Sequence, residues 1–414
     1  MTIEQYQEAV EWLFIQAPNY QIDGQKAYKP GLDNIIKLCE FFGNPQQKIK
    51  SIHIGGTNGK GSSSNMLASV LQEEGYKVGL YNSPHLIDFT ERIKVNGQNC
   101  DKEFVYQFIQ KLKNLPDDIH PSFFEFTTIM AFEYFYQKQV DFAIIEVGLG
   151  GRLDSTNIIT PLVSAITNVQ LDHQNILGDT LEEIAQEKAG IIKNHIPVIS
   201  GDENEIVKKI IKEKADAAHA PFIDATLITA EWESDLKGNY QEKNIKVVLA
   251  MIQELKQSGF SISDQSIKHG LMNVHANTGF IGRWFEFSKH PLTICDTGHN
   301  QAGLEQVFKQ LNSINRHKHV ILGFVNDKKI DEVMKILPEN SAFYFAKPSI
   351  HRGRHPEDYQ NLLDVAKISY KIFSTVQAAY VSAKQQATSE EMIFIGGSNF
   401  VVGEFLEKNL TDKE

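Results

Sequence analysis

Ser51-Ile52-His53-Ile54-Gly55-Gly56-Thr57-Asn58-Gly59-Lys60-Gly61-Ser62 is the stretch that decides the fold. Residues suited to a strand run into a glycine-rich turn, and Ser62 to Glu74 then has helical character up to Gly75. Lys77 to Tyr81 reads as the next strand. A strand, a glycine loop, a helix and a second strand in that order predict a parallel sheet. Glycines in such a loop let backbone N–H groups turn inward around phosphate oxygens, and the helix N-terminus adds positive potential. Lys60 has the reach for outer phosphates, and Ser62 offers a hydroxyl near a metal. The standard pattern G-x-x-x-x-G-K-[ST] is not strictly met. Ile54 occupies its first glycine position, and Gly61 intervenes before Ser62. A plain glycine turn is the alternative, and the strand–loop–helix context weighs against it.

Downstream, a helical stretch from about Glu125 to Lys138 precedes Asp141-Phe142-Ala143-Ile144-Ile145-Glu146-Val147. The continuous apolar run is typical of a strand buried on both faces. Open α/β sheets bind ligands beyond the C-terminal ends of their strands, which is where Glu146 falls. An acid there is costly unless it holds a metal or a partner, and ATP chemistry needs magnesium on oxygen ligands. Gly148-Leu149-Gly150-Gly151-Arg152 fails the dinucleotide pattern, because Leu153 stands where its last glycine would be. Leu162 to Thr167 reads as another strand, with Asp172-His173 just after it. A lone histidine is usually structural, but this position points it toward the same cleft. Thr180 with Glu183 matches a capping box, so Leu181 to Ala189 is expected to be a short helix closed by Gly190. Lys188 on that helix reads, by itself, as an exposed helix lysine.

With 414 residues, the chain has room for two or three domains of ordinary size. The first 45 residues look like helices with turns, and broken periodicity from Asn273 to Trp284 marks a boundary. The expected domains are 1–281, a phosphate-loop ATPase unit with a mostly parallel sheet, and 282–414, a smaller Rossmann-like α/β unit. In the second unit, Leu292 to Asp296, Val320 to Gly323, Ala342 to Ala346 and Met392 to Gly396 read as strands. Asp296-Thr297-Gly298-His299-Asn300 ends one of them, and Arg283 lies shortly before. Arginine fits phosphate, aspartate can hold ribose hydroxyls, and histidine can orient a transferred group. Half-sites on two domains suggest a cleft that closes on substrate.

The net charge of −11, from 52 acidic and 41 basic side chains, argues against nucleic acid as a partner. Cys39, Cys100 and Cys295 are sparse and unpaired in sequence, which suggests reduced thiols and a cytoplasmic setting. Met1 to Tyr20 lacks the features of a signal peptide, and no apolar run is long enough to span a membrane. No heptad or exposed apolar stripe asks for a partner, so a monomer is the expectation.

Taken together, these pieces resemble the folylpolyglutamate synthase and dihydrofolate synthase family, part of the larger Mur-ligase group. The resemblance spans nearly the whole chain. It rests on the 55–62 loop, Ser83-Pro84-His85-Leu86, Glu91-Arg92-Ile93-Lys94-Val95-Asn96-Gly97 and Phe124-Glu125-Phe126. The run from Glu146 to Asn157, Leu171-Asp172-His173, Leu177 to Leu181 and Glu187-Lys188-Ala189-Gly190-Ile191-Ile192-Lys193 complete it. The resemblance implies that Thr57, Asn58, Gly59, Lys60, Gly61 and Ser62 cradle the phosphates of ATP. It implies that Ser83, Glu146 and His173 ligate Mg2+. Lys188 corresponds to a lysine carbamylated by carbon dioxide in the family; a carbamate can hold magnesium where an ammonium would repel it. Asn244, Arg283 and Asp296 correspond to nucleotide-contacting residues. Ser122, Phe123, Phe124 and Glu125, with Leu153, Asp154 and Ser155, match segments lining the pterin site.

Two departures stand out. Thr297-Gly298 replaces Gly-Ala in the family's Asp-Gly-Ala-His-Asn, and Ile281 replaces the proline of a Pro-Gly-Arg motif. The implied reaction joins L-glutamate to dihydropteroate or to a reduced folate, its partners being small molecules. The substrate carboxylate attacks the γ-phosphate of ATP, and the amine of glutamate then displaces phosphate from the acyl phosphate. Lys60, Lys188 and, as a weaker candidate, His299 serve the chemistry. A cell-wall ligase of the same group, a nucleotide switch without ligase activity and a scaffold protein are the rival readings. The Ser83–Leu86 and Glu125 segments speak against the first of these.

Overall fold

The computed structural model describes residues 1–16, 31–326 and 330–410. It divides into two compact units, Met1–Asp235 with Gln241–Phe280, and Leu236–Tyr240 with Ile281–Glu414. The helical expectation for the first 45 residues is met by Ile3–Gln16 and Asp33–Phe41; residues 17–30 lie outside the described set.

Eight strands form the sheet of the first unit among the described residues. They are β1 (Ser51–Gly55), β2 (Val78–Tyr81), β3 (Ile93–Val95), β4 (Gln98–Asn99), β5 (Phe142–Glu146), β6 (Ser164–Ile166), β7 (Val198–Ser200) and β8 (Phe222–Asp224). Their order is β4-β3-β2-β5-β1-β6-β7-β8, parallel throughout except for the β2–β3 and β3–β4 pairs. β5 lies between β2 and β1, and all five of its residues are buried. That central position is why its sequence is apolar without alternation. Pairing Ile54 with Glu146, Gly55 with Ile166 and Tyr81 with Ile145 brings the C-terminal ends of β1, β2, β5 and β6 to one edge.

Four helices position that edge: α1 (Lys60–Glu73), α2 (Phe123–Lys138), α3 (Leu181–Ala189) and α4 (Gln241–Gln257). The capping box of α3 is present: the Thr180 hydroxyl accepts from the Glu183 N–H, and the Glu183 carboxylate accepts from the Thr180 N–H. Two apolar clusters pack against one face of the sheet, since the register and strand alternation put Tyr81, Ile145, Ile166 and Val198 on the same side. One joins Phe108, Phe126, Phe132 and Phe135 to Tyr81 and Ile145; the other joins Ile166 and Val198 to Ile184, Ala185 and Ala189 of α3.

The second unit holds β9 (Phe285–Lys289), β10 (Leu292–Cys295), β11 (Lys318–Leu322), β12 (Ser341–Ala346), β13 (Tyr370–Phe373) and β14 (Met392–Gly396). Their order is β13-β12-β11-β14-β10-β9, with only β9 antiparallel. The four strands expected from the sequence are β10, β11, β12 and β14; the weaker, half-buried edge strands β9 and β13 were not anticipated. Both units are α/β. No helix among the described residues is long and apolar enough to cross a membrane. Cys39, Cys100 and Cys295 are free and buried.

Candidate active site

The loop after β1 is built around two glycines with positive φ, Gly56 at 139° and Gly59 at 87°. Gly59 is the residue before α1, and no side chain caps that helix. Its first-turn N–H groups are therefore available to an anion, with the helix dipole behind them. The loop is braced by the residues just after β6. Thr57 N–H donates to the Asn168 carbonyl (2.9 Å), Asn58 N–H to Asn168 Oδ1 (2.9 Å), and Thr167 Oγ1 to the Asn58 carbonyl (2.6 Å). Gln170 N–H donates to Thr57 Oγ1 at 3.0 Å. Behind the loop, Asn244 Nδ2 donates to Gln241 Oε1 (2.7 Å), and Gln241 Nε2 donates to Ser62 Oγ (3.2 Å). Asn244 thus supports the loop from one turn of α4, in company with Gln241.

Close packing makes the two glycines obligatory. A Cβ at Gly59 would strike the Asn244 amide, and one at Gly56 would strike the Thr167 hydroxyl. Gly56→Ala combines that clash with a backbone that side-chain-bearing residues avoid, a cost of about 2–3 kcal/mol from strain alone. Thermal melts should show a fall in Tm, and titration with ATP a loss of binding. A variant that melts and binds like the parent would show that the loop is not held as described.

Two lysines converge on one carbonyl. Lys60 Nζ donates to the Gly56 carbonyl at 3.0 Å and to the Thr57 carbonyl at 3.1 Å; Lys188 Nζ donates to the same Gly56 carbonyl at 2.9 Å. The sequence alone suggested an exposed Lys188, and this is corrected: the residue is only 4% exposed. Burial, and then the neighbouring Lys60 charge, push its ammonium down to about 7, with Asp172 and Asp154 pulling the other way.

At the end of β5, Glu146 is buried, and its Oε2 accepts from Asn82 Nδ2 (2.8 Å) and from Ser83 N–H (3.3 Å). Asn82 is held in turn by Asn65 of α1, whose Nδ2 also donates to the Gly61 carbonyl. Glu146 and Ser83 are thus brought together beside the first turn of α1. A buried carboxylate with a nearby hydroxyl is an oxygen-rich donor set that suits Mg2+. His173 follows β6 with φ 51°, and its Nε2 lies 3.9 Å from the Asp172 carboxylate.

The residues expected to line a pterin site play visible structural parts. Ser122 and Glu125 form the capping box of α2: the Ser122 N–H and hydroxyl both donate to Glu125 Oε2, at 2.7 and 2.9 Å. Phe123 is buried, stacked on Phe14 with ring centroids 4.7 Å apart and with Arg92 over its face at 5.1 Å. Phe124 is only half-buried and its ring covers Gly148, where a Cβ would collide with it. Asp154 is buried; Oδ1 accepts from Thr156 and Oδ2 from Leu149 N–H. Burial raises its carboxyl above the ordinary value. Ser155 beside it is buried and Leu153 half-exposed.

In the second unit, Asp296 Oδ2 accepts from the Tyr240 hydroxyl (2.6 Å) and the Trp284 N–H (2.8 Å), and Oδ1 accepts from the Gly298 N–H (2.7 Å). Burial, then the Asp296 charge, keep the Tyr240 phenol protonated well above its usual range. Thr297, the departure from the family pattern, sends both its N–H (2.9 Å) and its hydroxyl (3.0 Å) to the Gly282 carbonyl. The extra hydroxyl ties the turn to the segment that carries Arg283. His299 Nδ1 lies 3.1 Å from the Thr297 carbonyl, and Asn300 caps the following helix through Gly303 N–H. Sequence reasoning passed over Asn82, Asn168, Gln241 and Tyr240. Asn82 and Asn168 share a signal that could have found them: a polar side chain one or two residues beyond a buried strand.

Residues 54–263 match the Mur ligase middle domain, and residues 282–399 match the Mur ligase glutamate ligase domain. The dihydrofolate synthase/folylpolyglutamate synthase of Bacillus subtilis is 32% identical, over 97% of this chain and 99% of its own length. A longer Haloferax volcanii relative, a probable bifunctional folylpolyglutamate synthase/dihydropteroate synthase, is 30% identical, and the chain spans 50% of its length. Among solved structures, Escherichia coli FolC in complex with DHPP and ADP superposes with a TM-score of 0.85 at 27% identity, covering 98% of both chains. The Yersinia pestis bifunctional folylpolyglutamate synthase/dihydrofolate synthase with AMPPNP and Mn gives 0.83 at 28% identity over 97% of both.

Proposed function

We infer the reaction from the family: the chain belongs to the folylpolyglutamate synthase/dihydrofolate synthase family of Mur ligases, and it is an ATP-dependent acid–amino-acid ligase. It joins L-glutamate to dihydropteroate, to reduced folates, or to both, with release of ADP and phosphate. The observation that carries this reading is the pair of lysines on the Gly56 carbonyl, set beside an uncapped helix N-terminus. Two cationic groups and a row of N–H donors at one spot make a cradle for a polyphosphate.

The roles then follow from position. Thr57 to Ser62 wrap the phosphates, and Lys60 follows the γ-phosphate as charge moves onto it. Glu146 and Ser83, with His173, would hold Mg2+, which would neutralise the phosphate oxygens. Lys188 is the carbamylation site: a neutral amine attacks carbon dioxide, the new N–C bond forms, and a proton is released to leave an anion. A lysine whose ammonium is held down to about 7 supplies that neutral amine near physiological pH. The carbamate would also replace the repulsion between Lys188 and Lys60 with attraction. Asn244 and Gln241 hold the loop in register. Arg283 and Asp296 are assigned to the nucleotide, the Asp296 carboxylate being held by Tyr240 and Trp284, and His299 to orienting glutamate or phosphate. Ser122 to Glu125 and Leu153 to Ser155 are assigned to the pterin side. The enzyme is taken as a cytoplasmic monomer.

ADP release in Mg-ATP and glutamate separates the sub-functions. The purified chain is assayed with dihydropteroate and, separately, with a monoglutamyl tetrahydrofolate, with products weighed by mass spectrometry. Turnover with both acids makes the enzyme bifunctional, and turnover with one names its activity. Failure with both, while ATP still binds, would move it to another acid within the Mur ligases.

A further inference from the structure

The second unit carries a cluster of two histidines and a glutamate at the N-terminal ends of two neighbouring strands. That is the opposite end of the sheet from Asp296, which follows the C-terminal end of β10. His317 precedes β11 and His319 lies within it, so strand alternation puts the two side chains on one face. β11 runs parallel to β14 with Lys318 opposite Met392, which sets Glu391 level with His317. Each of the three residues offers a ligand atom, and these atoms lie within 4.8 Å of one another.

Hydrogen bonds around the cluster fix where its protons are. The Tyr344 hydroxyl donates to Gln386 Oε1 at 3.1 Å and lies 2.9 Å from His319 Nδ1. A hydroxyl has a single proton, so toward His319 it accepts, and Nδ1 carries the ring N–H. In the neutral ring Nε2 then presents a lone pair, and it faces Glu391 Oε2 at 3.3 Å. Two acceptors at that distance call for a cation between them. A proton would join only that pair, whereas a metal ion would take up all three donor atoms. His317 is arranged in the same way. Its Nδ1 lies 3.1 Å from Asn340 Oδ1, whose orientation is set because Asn340 Nδ2 donates to the Arg316 carbonyl at 3.4 Å. Its Nε2 is left with the lone pair.

We propose that His317, His319 and Glu391 form a binding site for a divalent transition-metal ion of the zinc type, ligated by two imidazole nitrogens and a carboxylate oxygen. This donor set suits Zn2+ and not Mg2+, which demands oxygen. Tyr344 and Asn340 play the part that outer carboxylates and carbonyls play at zinc sites, accepting the far N–H of each ligand histidine. His317 and Glu391 are half-exposed, so an ion has a way in, while His319 is 4% exposed and anchors the site. Bound there, zinc would clamp β11 to β14 at the edge of the sheet remote from Asp296. Its effect falls on stability and leaves the ligase chemistry alone.

Isothermal titration of the full chain with zinc chloride, in excess Mg2+ to fill oxygen sites, tests this. The parent is expected to bind about one equivalent, and His317→Ala and Glu391→Gln to bind at least about 10-fold more weakly. Zinc should raise the Tm of the parent and not of the variants. Both variants should keep their zinc-free ligase turnover. Co2+ added to the parent should give the visible absorption of a low-symmetry four-coordinate site, a readout that does not depend on any variant folding. No zinc uptake by the parent, no cobalt band, or variants that bind as tightly as the parent would each overturn the site.

Discussion

Lys60→Ala should lose at least ~100-fold in ligase turnover, since one charge-stabilising donor aimed at a transition state is worth a factor of about 10²–10³. Lys60 begins α1, and its Nζ reaches back over the loop to the Gly56 and Thr57 carbonyls at 3.0 and 3.1 Å. Neither bond spans a buried core contact, so the variant should fold, with a Tm close to that of the parent. The loss should fall mainly on turnover, and nucleotide binding should weaken less, because the backbone donors of the loop and the uncapped helix remain. Steady-state ADP release paired with nucleotide titration measures both quantities. Near-normal ligation by a well-folded variant would sink the assignment of this loop to the phosphates.

Why the loop was legible from the sequence, and its support was not, has a physical explanation. Strand β5 declares itself through five consecutive residues that are buried on both faces, and Gly55-Gly56 with Gly59 declares a turn that side chains cannot make. Both signals are local. The braces are not: Asn168 is 110 residues from Asn58, and Gln241 is 179 residues from Ser62. Their partners are set by strand order, which no local pattern records. Ser122-x-x-Glu125 before an apolar run does carry a local meaning, a capping box, and the structure realises it. The resemblance alone assigned those residues to the substrate; the structure shows what else they do. Asp296 is similar, its carboxylate engaged by Tyr240, Trp284 and Gly298. Lys188 was the harder case, although one signal was present. It lies four residues after Ile184 on the face of α3 that buries Ile184, Ala185 and Ala189. A lysine in line with an apolar helix stripe is a candidate for burial.

That burial leads to the second large effect. Lys188→Met should abolish most turnover, by at least ~100-fold, because the carbamate at this spot would hold the cations, Mg2+ and Lys60, that stabilise the transferring phosphoryl group. Removing dissolved carbon dioxide should lower the activity of the parent, and bicarbonate should restore it. If turnover is indifferent to carbon dioxide while Lys188→Met is inactive, Lys188 keeps its place in the site without the carbamate. The same substitution has an opposite consequence for stability. In the folded chain the ammonium is pushed from 10.5 to about 7, by burial first and by Lys60 second. In the unfolded chain it keeps its proton up to about 10.4. Between those limits the unfolded state binds more protons, so this group makes stability rise with pH across the window, by several kcal/mol in total. Below about pH 7 both states hold the proton and the full burial penalty stands. In carbon-dioxide-free buffer, Lys188→Met should therefore be at least as stable as the parent near pH 6, with its advantage shrinking by about pH 9. Parallel melting curves that keep a constant separation over that range would contradict a buried ammonium titrating in the window. A Met variant less stable than the parent at low pH would mean that the bond to the Gly56 carbonyl outweighs the cost of burying the charge.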